Sequence, residues 1–346
     1  RLYQIFSYLS IKKGILLIGM LTAWNVQAQD VAHYTPGTLD EGVVYYLPKT
    51  QLKIKVTATK VTYTPGELCQ YANRYLRLQG ISSQPSEHWE INAVQVHATG
   101  VPDADKAYAI KVKDKMVTSQ VELTENGIIR AINTTAPAEE KTRKEKPAKK
   151  AERVDPRNFM TEEILMAGSS NKMAELIAKE IYNIRESKNS LTRGQADYMP
   201  QDGAALKIML NNLEEQEKAL TEMFSGYTER TEKTFTFQVE PEQEIANQVV
   251  CRFSKKLGVV NENNLAGEPI SISVTNESNL PPADEEAKAK KKLEGVIYNI
   301  PGKGNVTIKG LGKTWFDNEL PVTQFGETEV LLNNLFNKKV NTRVIF

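Results

Sequence analysis

The run Gly42-Val43-Val44-Tyr45-Tyr46-Leu47-Pro48, "GVVYYLP", leads into "QLKIKV", and it returns near the other end of the chain as Gly295-Val296-Ile297-Tyr298-Asn299-Ile300-Pro301, "GVIYNIP". Alternation puts Val43, Tyr45 and Leu47 on one face of an extended strand and Val296, Tyr298 and Ile300 on one face of another. The prolines remove a ladder donor and are expected to turn the chain. Alternation then resumes, in the second copy as "NVTIKG" after one inserted residue. Strand geometry accounts for every element of the motif, which contains no nucleophile, acid or metal ligand. The repeat therefore reads as scaffold, either a duplicated sheet module or two neighbouring strands of one sheet. The sharper alternative is a ligand groove lined by Tyr45, Tyr46 and Tyr298, because aromatic pairs on an open sheet bind sugars and peptides as well as pack.

Outward from the first copy the same period continues at Val94, Val96 and Ala98, at Tyr108, Ile110 and Val112, and at Val121 and Leu123. Between them Pro65-Gly66-Glu67 opens a short helical stretch through Leu68, Tyr71, Ala72 and Tyr75. Residues 134–155 contain no large apolar side chain except Val154 and form a charged linker. The period then changes. Met173, Leu176, Ile177, Ile181 and Ile184 lie three or four apart, and so do Leu206, Met209, Leu210, Leu213, Leu220 and Phe224. With Asp202 placed as a cap and Gly226 just past the end, two antiparallel helices are predicted, their methionines in the core. Strand alternation resumes at Phe235, Phe237 and Val239, at Val249, Cys251 and Phe253, and at Ile270, Ile272 and Val274.

The expected fold class is α+β, with mostly antiparallel sheet modules at both ends flanking an antiparallel helical hairpin. The expected division is 1–28 as signal peptide with an upstream extension, 29–133 as an N-terminal β-rich domain and 134–155 as linker. Residues 156–230 follow as the helical hairpin, and 231–346 as a C-terminal β-rich domain holding the second motif copy.

The first segment rests on Lys12 and Lys13, the apolar run Gly14 to Trp24, and small residues before Gln29. Such a run is short for a bilayer span and is laid out as a secretory signal. An uncleaved anchor is the competing reading. Export places the mature chain in a Gram-negative periplasm or against the outer membrane, with no integral span after cleavage. There the Cys69 and Cys251 thiols, the only cysteines in the chain, are candidates for one disulfide or for two separate buried thiols.

A net charge of +1 over 346 residues gives no reason to expect a nucleic-acid partner. The histidines His33, His88 and His97 have no His, Cys or carboxylate at ligand spacing, so no metal or other cofactor is implied. There is no G-x-S-x-G elbow. Gly312-Lys313-Thr314 copies the end of a phosphate loop, but the required earlier glycine is Thr307. The loop between the helices holds Arg185, Arg193, Asp197 and Tyr198 in a longer connection than a helix pair needs, which makes it a candidate binding element. The plainer reading has Arg185 and Glu186 ending a helix and Tyr198 packing the turn.

The entry motif "GVVYYLP", the stretch "KEIYNIRESKNSLTRGQADYMPQDG" and the closing "PVTQFGETEVL" together resemble domain of unknown function 4831, a family of secreted bacterial envelope proteins. That resemblance implies export and brings no catalytic residues with it. The expected function is a non-enzymatic envelope scaffold or binding module contacting protein or glycan partners. An exported hydrolase of polysaccharide or peptidoglycan and a hydrophobic-ligand carrier are the alternatives.

Overall fold

The alternation that begins at Gly42 does not stop at Pro48. In the computed structural model, which describes residues 37–39, 42–111, 121–137, 153–200, 202–279, 295–332 and 343–345, it runs through one strand, β2 (Gly42–Thr64), after the short β1 (Gly37–Leu39). The 23 residues of β2 span about 75 Å at 3.3 Å each. Its antiparallel partner β3 (Ser86–Lys111) is equally continuous and unites the stretches at Val94 and Tyr108 that alternation alone separates; Val112 lies outside the described residues. The signal segment 1–28 and linker residues 138–152 lie outside them as well.

Between β2 and β3 the chain forms the short α1 (Ala72–Leu76). After β4 (Val121–Leu123) and β5 (Ile129–Ile132) come α2 (Glu162–Leu165), α3 (Ser170–Thr192) and α4 (Gly203–Ser225), with α1 closing the helical group. Then β6 (Tyr227–Val239) pairs with β2 from Thr64 down to Leu52, on the edge that β3 leaves free. The second sheet is antiparallel in the order β11-β10-β9-β7-β8, built from β7 (Ile245–Ser254), β8 (Gly258–Val260), β9 (Glu268–Asn276), β10 (Gly295–Gly310) and β11 (Lys313–Leu332). Leu52, Ile54, Val56, Val94 and Val96 of the first sheet face Cys251, Phe253, Ile270, Ile272, Val306 and Ile308 of the second in one sandwich core. The two β-rich stretches assigned to separate domains from sequence therefore share a single core. The reason is that β6, beyond the helices, returns to β2 and cannot leave it without exposing Val239 and half-buried Phe237.

Two smaller cores cap the sandwich. At one end Tyr45, Leu47 and Ile110 of the long strands meet Ile129, Ile132, Val296 and Ile297. Here β5 pairs with β4 and with β12 (Val344–Ile345). At the other end the helices pack chiefly on one another, burying Ala174, Ile177, Ile181, Leu220 and Phe224 against Leu68, Ala72 and Leu76 of the α1 region. At their ends Ser169 Oγ accepts from the Lys172 N–H and, as expected from sequence, Asp202 Oδ1 accepts from the Ala204 N–H and Gly226 leaves α4 at φ 69°.

Candidate functional site

The prolines of the repeat mark matching irregularities rather than turns. In β2 and β3 the register goes from Tyr46 opposite Ala107 to Pro48 opposite Pro102, and in β10 and β11 from Ile300 opposite Glu327 to Gly302 opposite Val322. Two steps on the motif strand thus meet five on its partner in both copies (46 to 48 against 107 to 102, 300 to 302 against 327 to 322). A proline is tolerated there because the extra partner residues have already broken the ladder. The copies lie in different sheets and face each other. The repeat is therefore a duplicated hairpin, not a pair of neighbours in one sheet.

Where they meet, side chains stand in for a backbone ladder. The Tyr45 hydroxyl donates to the Ile297 carbonyl and accepts from the Ile297 N–H, both at 2.9 Å. Asn299 Nδ2 donates to the Pro48 carbonyl at 2.7 Å. Gln324 Oε1 accepts from the Thr50 N–H and Nε2 donates to the Thr50 carbonyl, each at 2.9 Å, completing the ladder of β2 just beyond the last residue that β6 reaches. Tyr45 is 2% exposed and stacks near Tyr108, so it is part of the core. Tyr46 and Tyr298 are half-buried, and Ile300 is 44% exposed because it sits at the irregularity instead of on the buried face with Val296. Thr50 and Gln324 carry no signal in an alternating pattern; only the matched irregularities single them out.

The residues selected in the helical loop fall elsewhere, at the far end of the hairpin. Arg185 is a packing residue: its Nε donates to Glu217 at 2.6 Å, Lys188 meets the same carboxylate at 3.0 Å, and the Arg185 guanidinium lies 5.5 Å from the Tyr182 ring centroid. Arg193 ends α3, exposed, with its N–H on the Asn189 and Leu191 carbonyls. Asp197 is exposed and Tyr198 is 74% exposed, so the turn is not packed by the tyrosine. The apolar stripe of α4 changes character along its length. Ala219, Leu220, Met223 and Phe224 are buried at the base, Leu206, Met209 and Leu210 are only half-buried toward the tip, and Ile208 is 60% exposed. Periodicity reads the whole stripe as core, but beyond α3 the cover of α4 lies at its base, where the 3-10 turns Cys69–Tyr71 and Pro156–Phe159 pack on it and the Leu68 N–H bonds to the Met223 carbonyl.

Among the described residues the carboxylates of Glu90, Glu217 and Glu240 are held in structural pairs. Glu90 is lowered by its hydrogen bond to His88 and by Arg230, and Glu240 by its hydrogen bond to Lys49 and by Gln51. Glu217 loses solvation, but Arg185 and Lys188 outweigh that and lower it too. A carboxylate held this way stays ionised at neutral pH and is a poor general acid. Both cysteines are free: Cys251 lies in the sandwich core, its thiol pushed up to about 12 by burial, and Cys69 lies in the helical end. The disulfide considered from sequence is absent because Cys251 lies in the sandwich core while Cys69 is only half-buried, at the helical end. His97 projects from the outer face of β3, opposite Lys53. Gly312-Lys313 belongs to the tight turn between β10 and β11, where Leu311 and Gly312 both have positive φ and Lys313 caps the Trp315 ring at 3.5 Å. Among the described residues no three His, Cys, Asp or Glu side chains are grouped to hold a metal, and no helix is long and apolar enough to cross a membrane.

The family model described as Domain of unknown function (DUF4831) matches residues 41–346, which takes in both hairpins, the helices and the interlock between the copies. The chain belongs to that family. No curated protein and no solved structure matches it. The DUF4831 match begins one residue before the first motif copy and so treats the duplicated hairpins as parts of one unit.

Proposed function

We propose that the chain is a non-enzymatic, exported envelope protein, a binding module whose helical hairpin meets a protein partner. The observation that carries this reading is the change along α4. Its apolar stripe is buried at the base and only half-buried toward the tip, at Leu206, Met209 and Leu210, and at that end Ile208, on another face of α4, and Tyr198 stand in solvent. Large apolar side chains left in solvent at one end of a helix about 35 Å long suit a partner's apolar face. The sandwich serves as the rigid mount. Export is supported by the basic and apolar N-terminal segment, and the envelope is where the partner is sought.

The test is a photo-crosslinking side chain placed in living cells at Ile208, and as control at Thr236 on the outer sheet face. A discrete protein adduct from position 208, lost when Met209→Asp is added, is the expected result. Equal labelling from both positions, or slow shortening of an envelope glycan by the purified protein, would overturn the reading.

A further inference from the structure

Among the described residues β6 pairs only with β2, so one long edge of the first sheet is open. Along that edge Arg230, Thr231, Glu232, Lys233 and Thr234 are all exposed, so neither face of the strand is covered there. Charges on an edge strand ordinarily keep other chains away. The order of the charges here has the opposite consequence. The segment reads Thr228-Glu229-Arg230-Thr231-Glu232-Lys233-Thr234, and it is its own complement when turned end for end about Thr231. In an antiparallel pair of two such strands, Arg230 stands opposite Glu232 of the second copy, Glu229 opposite Lys233, Thr228 opposite Thr234, and Tyr227 opposite Phe235. Each opposition occurs twice by symmetry. Moving the register by one residue sets Glu229 against Glu232 or Arg230 against Lys233. Moving it by two sets Arg230 against Arg230 or Glu232 against Glu232. Only the Thr231-centred register is attractive among these.

We propose that the partner of this edge is a second copy of the chain, the two β6 strands pairing antiparallel about Thr231. The strands β3, β2 and β6 of each copy then form one continuous six-stranded sheet. The two-fold axis lies normal to the sheet, so the outer faces of both copies look the same way. Arg230, which already reaches Glu90 at 3.2 Å, then lies between two carboxylates, one from each copy. The surface is separate from the helical tip, and the inference stands apart from the proposed function.

The experiment is sedimentation equilibrium of the full chain, wild type against Glu232→Lys and Arg230→Glu, with circular dichroism confirming that each variant folds. The wild type is expected to dimerise, and each variant, which turns two attractive oppositions into repulsive ones, to weaken the dimer by about tenfold or more. Mixing the two variants is expected to restore association as a heterodimer. In that pair the unaltered Arg230 of one copy faces the unaltered Glu232 of the other, and the introduced lysine faces the introduced glutamate. A merely structural role for either residue would not produce that rescue. In addition, Thr231→Cys should give an oxidised dimer that the wild type, with its own two cysteines, does not give. A monomeric wild type, or a dimer indifferent to both charge reversals, would overturn the proposal.

Discussion

The extra residues of the first hairpin, opposite Leu47, run from Asp103 to Lys106 and are mostly in solvent, with Lys106 paired to Asp103 at 3.4 Å. Those of the second, opposite Pro301, run from Thr323 to Gly326 and turn inward: Phe325 is buried in the sandwich core with the neighbouring Val322, and Thr323 and Gln324 bond to Thr50 of the other sheet. Ladder irregularities of the same size, one residue apart in the motif, thus serve once as a surface loop and once as the lock between sheets. The strand geometry is shared by the two copies, and a few side chains of the second supply the fastening. The motif strands differ in the same sense. Tyr45 sends its hydroxyl into the other copy's backbone, whereas its counterpart Tyr298 is half-buried and stands opposite Glu329.

The strongest way to break this asymmetry is to truncate both tyrosines in turn. Tyr45→Ala removes a buried ring and leaves the Ile297 N–H and carbonyl without partners, so thermal denaturation should show a loss of about 3–5 kcal/mol. Tyr298→Ala should cost well under half of that. Equal losses would mean that the copies are equivalent and that the observed lock is not what holds the sheets together.

A finer test lies in the residue just before each ladder resumes, Lys106 in one hairpin and Gly326 in the other. A Cβ on Gly326 would run into the Ile300 carbonyl and the Gly302 N–H, and both are backbone that cannot swing aside. Gly326→Ala should therefore cost about 1–3 kcal/mol by crowding, while Lys106→Ala stays within about 0.5 kcal/mol. Gln324→Ala falls in the same range as the glycine change. It leaves the Thr50 N–H and carbonyl without their side-chain partners at a cost of about 1–3 kcal/mol, and amide exchange at Thr50 should rise with it.

The periodicity of the chain made the class of fold legible, down to Asp202 and Gly226 at the ends of α4. It could not show that β2 and β3 run unbroken past their irregularities, because a bulge resets the alternation on one strand only. The inserted residue at β7 shows this on a small scale. The register shift between Val249 and Cys251 brings Val250 inward beside Cys251, where strict alternation would place Val249. Nor could local pattern reveal that residues on either side of the helices share one core, since pairing of β2 with β6 is a contact across more than 160 positions. The exposed helical tip was hidden for a related reason. A stripe on one helix records that something covers it, and the sequence of that helix does not say how far the cover extends.

The smallest effect separates the two ends of the molecule by pH. Burial raises the Tyr45 hydroxyl above its ordinary value, so the folded state favours its neutral form. The stability it contributes is present below the unfolded tyrosine value of about 10 and is lost as the pH rises beyond it. Glu217 moves the other way. Its folded value lies below the unfolded carboxylate, so the Arg185 and Lys188 pairs contribute above about pH 4.3 and are lost as the pH falls through the folded value. These pairs are partly solvated, and less than about 1 kcal/mol is at stake. Alkali should thus loosen amide exchange first around Ile297, and acid first along α3 and α4. Glu217→Gln should flatten the acid limb of the helical amides and leave the alkaline limb at Ile297 unchanged. If the substitution moved both limbs together, the interlock and the helical hairpin would be one cooperative unit, and the contrast between the ends would have to be drawn at the level of packing alone.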